Sequence, residues 1–397
     1  MSSQREIFFS NLAQTSPAPL ALEIVKADGV YLYDASGKTY FDLISGISVS
    51  SVGHRHPKVI EAIKGQMDNY LHLMVYGEYI QSPQVKFAEL LTQHLPKNLS
   101  SVFFTGSGSE ATEGAMKLAK RFTGRTGIVS FSNAYHGSTQ GALSIAGNEE
   151  LKNSFRPLLP GIKILSFNSS EDLDQIDSQT ACVIVEPIQG EAGVIVPENN
   201  FLKHLRTRCD ETGALLVFDE IQTAFGRTGK LFAFEHYDVI PDIILLGKAL
   251  GGGMPSGAFI SSKEIMQALT YNPVLGHITT FGGHPLCCAA GNAAMIALLN
   301  EKLMEGVKQK EECFRKNLVH SSIKNIRGKG LFLALEFENE KLNREIVALC
   351  IEKGVIVDWF LFAPHFMRIA PPLTITEAQI ETACKLISES INQLTHI

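Results

Sequence analysis

From residue 100 onward the chain alternates short apolar segments with helical patterns, and this alternation constrains the fold more than any other feature. Helices are predicted between most of the apolar segments, including Ser109–Phe122 and Asn200–Thr212. Apolar strands joined by helical crossovers are typical of a largely parallel sheet covered on both faces, so we expect an α/β fold. The predicted strands are Val102–Phe104, Ile128–Phe131, Ile162–Phe167, Cys182–Val185, Leu215–Phe218, Ile243–Leu246 and Ala258–Ile260.

The segments before and after this alternating region have a different pattern of predicted strands and helices. Residues 1–20 are expected to form an arm, and two strands, 29–34 and 38–42, follow it. Pro57 is expected to open a helix that runs to about Tyr70. Later in the chain, a long helical pattern runs from Pro285 toward Leu318, and a smaller α+β domain is predicted after it. The elements of that domain are the strands Leu331–Phe337 and Met367–Ala370 and the helices Asn343–Lys353 and Glu377–Leu394.

Composition excludes several classes of protein. The formal net charge of -6 gives no reason to expect nucleic acid as a partner. No apolar run is long enough to span a bilayer, and the N-terminus has no signal-peptide pattern, so we expect no membrane contact. The seven cysteines lack a C-x-x-C pair, which favours a reducing cytoplasm. No histidine spacing typical of a metal site occurs, so no metal is expected.

A single lysine follows one of the predicted strands. The strand Ile243–Leu246 ends at Gly247, and Lys248 comes next, followed by Ala249 and three glycines. Such small neighbours leave room for a ligand beside the amine. A primary amine held at a strand end can condense with a carbonyl group, although a lysine at a loop start is by itself usually a solvated side chain.

Three further segments have chemical groups at strand ends, where ligands gather in open α/β sheets. The segment 105–111 follows a strand and opens a helix, so it can hold a phosphate, or one of its serines can simply cap that helix. It also matches the dinucleotide fingerprint G-x-G-x-x-A, but the next strand carries no acid. Asp219 ends an apolar strand and can meet a positive group or cap a helix. Tyr135 can stack on a flat ring or belong to the core.

A phosphate cradle, an acid for a ring nitrogen, an aromatic face and an amine together describe one ligand, pyridoxal 5′-phosphate (PLP). The chain resembles the class III aminotransferases, the ornithine, acetylornithine and 4-aminobutyrate family, over most of its length. The resemblance rests on ordered motifs, namely Gly53-His54-Arg55-His56-Pro57, Ser107-Gly108-Ser109-Glu110-Ala111, Tyr135-His136-Gly137, Glu186-Pro187-Ile188-Gln189-Gly190-Glu191, Asp219-Glu220-Ile221-Gln222, Gly247-Lys248-Ala249-Leu250, Thr280-Phe281-Gly282-Gly283-His284-Pro285 and Arg368-Ile369-Ala370-Pro371-Pro372.

The resemblance implies a role for each cofactor residue. Lys248 is expected to bond covalently to PLP and then to move the proton, and Asp219 to keep the ring nitrogen protonated. Gln222 is expected to bond the ring 3-oxygen, while Tyr135 and Ile221 lie on the two faces of the ring. The phosphate ligands are expected to be Ser107, Gly108 and Ser109, with Thr280 contributed by the other subunit of a homodimer.

The resemblance also implies substrate contacts and a domain plan. Arg368 is expected to bind a substrate carboxylate, with Glu191 pairing with it and switching between substrates. The implied fold is PLP fold type I, a large domain (46–288) with a mostly parallel seven-stranded sheet. A small α+β domain is expected from both termini (1–45 and 289–397).

Departures from the family pattern bear on the substrate. Ser138 stands where acetylornithine and ornithine enzymes usually carry an arginine, and Ile47 where ornithine enzymes place a tyrosine. Ala224 and His284 also depart from the usual residues, and neither is interpreted from sequence.

Three functions are therefore weighed. The first is a ping-pong transaminase that moves an amino group from an ω-amino or diamino acid to a 2-oxo acid such as 2-oxoglutarate. The second is an aminomutase or racemase of the same family. The mutases lack the glutamate that this chain has as Glu191 and the glutamine that it has as Gln222. The third is a nucleotide-binding dehydrogenase.

Overall fold

The computed structural model describes residues 3–198 and 200–395. Residues 1, 2, 199, 396 and 397, which the predicted arm and domain ranges include, lie outside the described residues. The strands are β1 (Ile24–Asp28), β2 (Tyr31–Asp34), β3 (Thr39–Asp42), β4 (Ser101–Thr105), β5 (Gly127–Phe131), β6 (Ile162–Leu165), β7 (Thr180–Val185), β8 (Leu215–Asp219), β9 (Ile243–Leu246), β10 (Gly257–Ser261), β11 (Asn325–Lys329), β12 (Phe332–Glu336), β13 (Val355–Ile356), β14 (Asp358–Phe360) and β15 (Ala363–Ile369).

The helices connect and cover these strands. The α-helical segments are α1 (Gln4–Asn11), α2 (Ser45–Ser48), α3 (Pro57–Asn69), α4 (Ser82–Gln93), α5 (Gly108–Thr123), α6 (Gln140–Ser144), α7 (Phe201–Thr212), α8 (Lys263–Gln267), α9 (Pro285–Asn300), α10 (Val307–Asn317), α11 (Glu340–Glu352) and α12 (Glu377–Thr395). Short 3₁₀ turns occur at Asn153–Phe155, Glu171–Gln175, Ala233–His236 and Lys248–Gly251. Within the described ranges, no helix combines the length and the apolar character that a membrane span requires.

The central sheet has seven strands in the order β4-β10-β9-β8-β7-β5-β6. Its strands run parallel except β10, which is antiparallel to both neighbours. The predicted mostly parallel seven-stranded sheet is therefore confirmed, and each strand lies within a few residues of its predicted place. The largest differences are two residues: β6 ends at Leu165 rather than Phe167, and β7 begins at Thr180 rather than Cys182.

Apolar clusters cover both faces of the central sheet. Along β8, Leu216 and Phe218 belong to one cluster, while Leu215 and Val217 belong to another. Side chains of α7 complete the first cluster and side chains of α5 complete the second. Because successive strand residues point to opposite faces, the sheet is buried on both sides, and this explains why its strands are apolar throughout.

Two smaller sheets lie outside this layer. One has the order β1-β2-β3-β13, and the parallel pairing of β13 with β3 joins the N-terminal chain to the C-terminal chain. The other has the order β11-β12-β15-β14 and belongs to the C-terminal chain alone. The sequence did not indicate β1, β11, β13 or β14. The domain division at residues 45 and 288 stays a prediction.

One local prediction was wrong. The pattern after Pro285 is two helices, because α9 ends at Asn300 and α10 begins at Val307, with φ of 52° at Lys302 between them. The predicted N-terminal arm contains a helix, α1, whose start is capped by Ser3 and Glu6. None of the α1 residues is buried, so the helix has no apolar periodicity for sequence reading to detect.

Candidate active site

A cavity of about 180 Å³ opens at the carboxyl ends of the parallel strands. Segments that follow β4, β5, β7, β8 and β9 all contribute to it, as expected for an open α/β sheet. The cavity therefore brings together eight residues that the sequence predicted as a cofactor site. Its lining residues are Ser107, Gly108, Ser109, Tyr135, His136, Gly137, Glu186, Asp219, Ile221, Gln222, Thr223 and Lys248.

The N-terminus of α5 forms one wall of the cavity. Ser107 caps the helix, since its Oγ accepts a hydrogen bond from the Glu110 N–H at 3.2 Å. The first N–H groups of a helix have no partner within it, and the helix dipole favours an anion there. A Cβ at Gly108 would lie 2.9 Å from Cδ1 of Ile221, so a larger residue there would require the Ile221 side chain to shift. This wall can hold a phosphate.

A buried acid lies deeper in the cavity. Oδ2 of Asp219 is 2.7 Å from Nδ1 of His136, and Oδ1 accepts from the Ile221 N–H at 3.0 Å. Burial lowers the pKa of His136, but the hydrogen bond and charge of Asp219 outweigh it, so the pKa is raised overall. The imidazole therefore holds the carboxyl group of Asp219 in a position where it can face a ring nitrogen.

A second buried carboxyl group, Glu186, holds the loop that carries the aromatic side chain. It accepts from the backbone N–H of Tyr135 at 3.1 Å and of Gly190 at 2.7 Å. Burial raises the pKa of Glu186 to about 7. The sequence motifs contained Glu186 and His136 without assigning them a role, although each follows a strand of the central sheet, and that position was the available signal.

Lys248 brings its amine into the same cavity from the end of β9. Its backbone is left-handed, with φ of 48°. Burial lowers the pKa of the amine below its ordinary value, while the charges of Glu191 and Asp219 act in the opposite direction. A lowered pKa increases the neutral fraction of the amine, which is the nucleophilic form.

Beside the cavity, Arg368 and Glu191 form a buried ion pair. Nη2 of Arg368 lies 2.9 Å from Oε2 of Glu191, and Gln222 donates to Oε1 of Glu191 at 3.1 Å. Burial alone raises the pKa of Glu191, but Arg368 and the Leu361 N–H lower it below its ordinary value. The predicted pairing of Arg368 with Glu191 is therefore present in the structure, and Gln222 links this pair to the cavity.

Besides Arg368 and Glu191, three other predicted residues lie outside the cavity lining. Ser138 is exposed and follows the cavity residue Gly137. Thr280 is also exposed, in the loop before α9, and it does not line the cavity of its own chain. Ile47 is partly buried, in the segment α2 between β3 and α3. Their predicted roles in binding stay predictions.

The segment that carries Ile47 is a left-handed turn. The φ angles of Ser45, Gly46, Ile47 and Ser48 are 43°, 62°, 63° and 64°. This conformation costs roughly 1–2 kcal/mol for each residue other than glycine. Asp42 offsets part of that cost, since its Oδ1 accepts from the N–H of Ser45 at 2.8 Å.

Arg227, which sequence reading missed, ties this turn to three other chain segments. Its guanidinium is fully buried and donates to the carbonyl oxygens of Leu331 and Pro371 and to Oγ of Ser45 and Ser51. Burial lowers the pKa of Arg227 to about 9. The loop after Asp219 is therefore bonded to the turn that carries Ile47.

Comparison with known proteins identifies the family. The model of the family "Aminotransferase class-III" matches residues 12–391. The acetylornithine aminotransferase of Methanopyrus kandleri is 39% identical over 371 residues, which are 93% of this chain and 94% of that protein. The chain belongs to the class III aminotransferases.

Solved structures of aminotransferases have the same fold. The ornithine aminotransferase of Toxoplasma gondii is similar with a TM-score of 0.91 and 30% identity, over 100% of this chain and 96% of that one. An amine transaminase from an uncultivated Pseudomonas species, crystallised in its PLP-bound form, is similar with a TM-score of 0.88 and 26% identity. The match covers 97% of this chain and 100% of that one. This class III chain is therefore a PLP-dependent aminotransferase of fold type I.

The cavity of this aminotransferase fits PLP by its chemistry. It combines a helix N-terminus for a phosphate, an acid for a ring nitrogen and an amine for an aldehyde. Two buried polar atoms at the cavity, Oε1 of Gln222 and Nε2 of His136, have no hydrogen-bond partner among the residues described. Buried polar atoms are normally paired, so these two are free for a polar ligand.

Proposed function

We propose that this aminotransferase moves the amino group of an ω-amino donor to 2-oxoglutarate. The observation that carries the proposal is the shared cavity of Lys248 and Asp219, with the buried Arg368–Glu191 pair beside it. The amine of Lys248 and the carboxyl group of Asp219 act on the cofactor in both half-reactions. Arg368 of the ion pair can bind a carboxylate of the second substrate.

We propose the following roles for the residues of the cofactor site. Bound PLP supplies an electron sink for the carbon that loses its proton. Lys248 bonds the cofactor and then carries the proton, and Asp219, supported by His136, keeps the ring nitrogen protonated. Gln222 donates to the ring oxygen. Ser107, Gly108 and Ser109 hold the phosphate, while Tyr135 and Ile221 enclose the ring.

Arg368 and Glu191 are proposed to sort the substrates. A guanidinium can hold a carboxylate by two parallel hydrogen bonds. With a donor that lacks a carboxylate near Arg368, Glu191 keeps the arginine paired. With 2-oxoglutarate, Glu191 moves aside and the substrate carboxylate takes its place.

Ser138 and Ile47 are proposed to limit the range of donors. A serine hydroxyl is short and neutral, so Ser138 cannot replace the arginine that grips the donor carboxylate in acetylornithine and ornithine enzymes. The side chain of Ile47 adds an apolar surface in place of a tyrosine. A shorter or less charged ω-amine is therefore the preferred donor.

Covalent labelling tests the assignment of Lys248. Borohydride reduction of the PLP-loaded protein, followed by peptide mass spectrometry, should find the cofactor on Lys248 and on no other lysine. Lys248→Ala should lose the label and the transaminase activity, while the exposed Lys263→Ala serves as the control and should keep both. A label on a different lysine would refute the role of Lys248.

We also propose a homodimer with shared active sites. Two neighbouring loops carry exposed apolar side chains, and the Tyr76 N–H donates to the Thr279 carbonyl between them at 3.1 Å. Ile80 is 96% exposed, an unusual position for an isoleucine unless a second copy covers it. The other exposed members of this apolar surface are Leu71, Leu73, Ile278 and Phe281. Thr280 lies within it and would reach the partner's phosphate site.

Mixed dimers test the sharing of sites. Lys248→Ala and Thr280→Ala subunits, each inactive alone, should recover part of the activity when combined, because one site of each hybrid keeps both residues. Hybrids verified by native mass spectrometry that stay inactive would contradict the proposal.

We also assign the protein to the cytoplasm, since all seven cysteines are free thiols. Fractionation of cells that express the chain tests that assignment.

A further inference from the structure

Arg368 contacts two carboxylates rather than one. Its Nη2 pairs with Oε2 of Glu191 at 2.9 Å, and its Nε lies 3.3 Å from Oδ1 of Asp358. The side chain of Arg368 is 2% exposed and that of Asp358 is 20% exposed, so solvent screens this second contact only in part. The arginine therefore has a counter-ion beyond the glutamate described above.

The backbone holds Asp358 in place. It lies on β14 directly opposite Arg368 on β15, as a pair of the antiparallel ladder. Side chains opposite each other in such a ladder are close neighbours on one face of the sheet. Glu191 lies in the loop after β7, outside any sheet ladder. A substrate can therefore displace Glu191 from Arg368 while Asp358 stays beside it.

The edge of Arg368 that remains for a ligand can be identified. Nη1 is buried and has no hydrogen-bond partner within the described ranges. Nη2 donates to the Trp359 carbonyl at 3.3 Å as well as to Glu191. Once Glu191 leaves, Nη1 and the freed N–H of Nη2 are available to a carboxylate. Asp358 contacts the same guanidinium at Nε. An incoming carboxylate then shares one guanidinium charge with Asp358.

We propose that Asp358 is a specificity-determining residue, which acts through Arg368 to weaken the binding of substrate carboxylates at this site. The inference rests on the proposed role of Arg368 in substrate binding. Two carboxylates that contact one guanidinium repel each other, and at the effective dielectric constant of a protein this lowers affinity by about tenfold. Donors without a carboxylate near Arg368 leave the Arg368–Glu191 pair closed and do not meet this repulsion. Asp358 therefore biases the site toward less charged ω-amines.

The affinity for glutarate, an unreactive dicarboxylate that cannot accept an amino group, tests the inference. Calorimetric titration of the PLP-loaded enzyme should give a dissociation constant about tenfold lower for Asp358→Asn than for the unaltered chain. Asp358→Ser removes the same charge and should act in the same direction. Asp358→Glu keeps the charge and should stay within about twofold of the unaltered chain.

Two controls separate a charge effect from a structural one. Glu338→Gln removes an exposed negative charge elsewhere on the surface and should leave glutarate binding unchanged. The KM of butylamine, a donor without a carboxylate, should be the same in Asp358→Asn as in the unaltered chain. A rise in the glutarate dissociation constant of both charge-removing variants, or no change, would overturn the inference.

The test distinguishes this inference from the proposed function. If Arg368→Lys leaves glutarate binding unchanged, the assignment of Arg368 as the carboxylate site is wrong. If Arg368→Lys weakens binding while Asp358→Asn and Asp358→Ser do not strengthen it, the role of Asp358 alone is refuted.

Discussion

Ser45→Ala is expected to loosen the left-handed turn that carries Ile47. The Ser45 hydroxyl donates to the carbonyl of Ala370 at 2.6 Å and accepts from Nη2 of Arg227 at 3.2 Å. Both bonds are buried, and one involves a charged group. Their loss leaves two buried groups without that partner, so we expect destabilisation of about 2–4 kcal/mol.

Ser48→Ala is a matched control for this substitution. Ser48 belongs to the same turn, with φ of 64°, and its buried Oγ has no hydrogen-bond partner in the part of the chain described. Both variants place alanine at a left-handed position, so they share any backbone cost. Ser48→Ala loses no hydrogen bond and is expected to change stability by less than about 0.5 kcal/mol.

Thermal unfolding measures the difference between Ser45→Ala and its control. The fall in Tm equals the loss of stability divided by the entropy of unfolding, which grows with chain length. For a chain of this size, a destabilisation of about 2–4 kcal/mol corresponds to a fall in Tm of about 2–5 °C. Protein and PLP concentrations must be equal in all samples, since bound ligand raises Tm. If Ser48→Ala lowers Tm as much as Ser45→Ala does, the hydrogen bonds of Ser45 do not hold the turn.

Three further predictions concern the substrate and cofactor sites. Arg368→Lys should raise the KM for 2-oxoglutarate about tenfold to a hundredfold, because lysine cannot form two parallel hydrogen bonds to a carboxylate. The KM of a donor without a carboxylate should stay constant. Equal changes in both KM values would contradict the assignment of Arg368. In steady-state kinetics over a donor panel, N-acetylornithine should have a lower kcat/KM than at least one shorter ω-amine, and if it matches or exceeds every other donor, the interpretation of Ser138 is wrong. His136→Phe leaves Asp219 without its imidazole partner and should weaken PLP binding about tenfold to a hundredfold, as measured by equilibrium dialysis. An unchanged dissociation constant for PLP would show that His136 is not needed for cofactor binding.

Much of the fold and of the cavity followed from local patterns. Strands buried on both faces are apolar throughout, so the seven central strands could be located without knowledge of their partners. The carboxyl ends of parallel strands meet at one edge of the sheet, and for that reason residues as distant in sequence as Ser107 and Lys248 could be predicted to share a site. Both line the same cavity.

Other features had no local signal. The strand β13 has two residues, Val355 and Ile356, and exists only because it pairs with β3, some three hundred positions earlier in the chain. The break between α9 and α10 depends on a left-handed backbone at Lys302, a residue type that does not usually mark such a turn. Local patterns could not predict contacts of this kind.

The sequence by itself determined the family and the parallel sheet, and it predicted the cofactor residues, because each depends on short patterns near the ends of strands. Only the tertiary structure decided which charged groups surround Arg368. Arg368, Glu191 and Asp358 come from three separate segments, and Asp358 meets Arg368 through the register of two strands. Similarly, Arg227 is buried against four groups that are far from it in sequence. Such contacts arise from packing between distant segments, and packing is a property of the folded chain rather than of any local stretch of it.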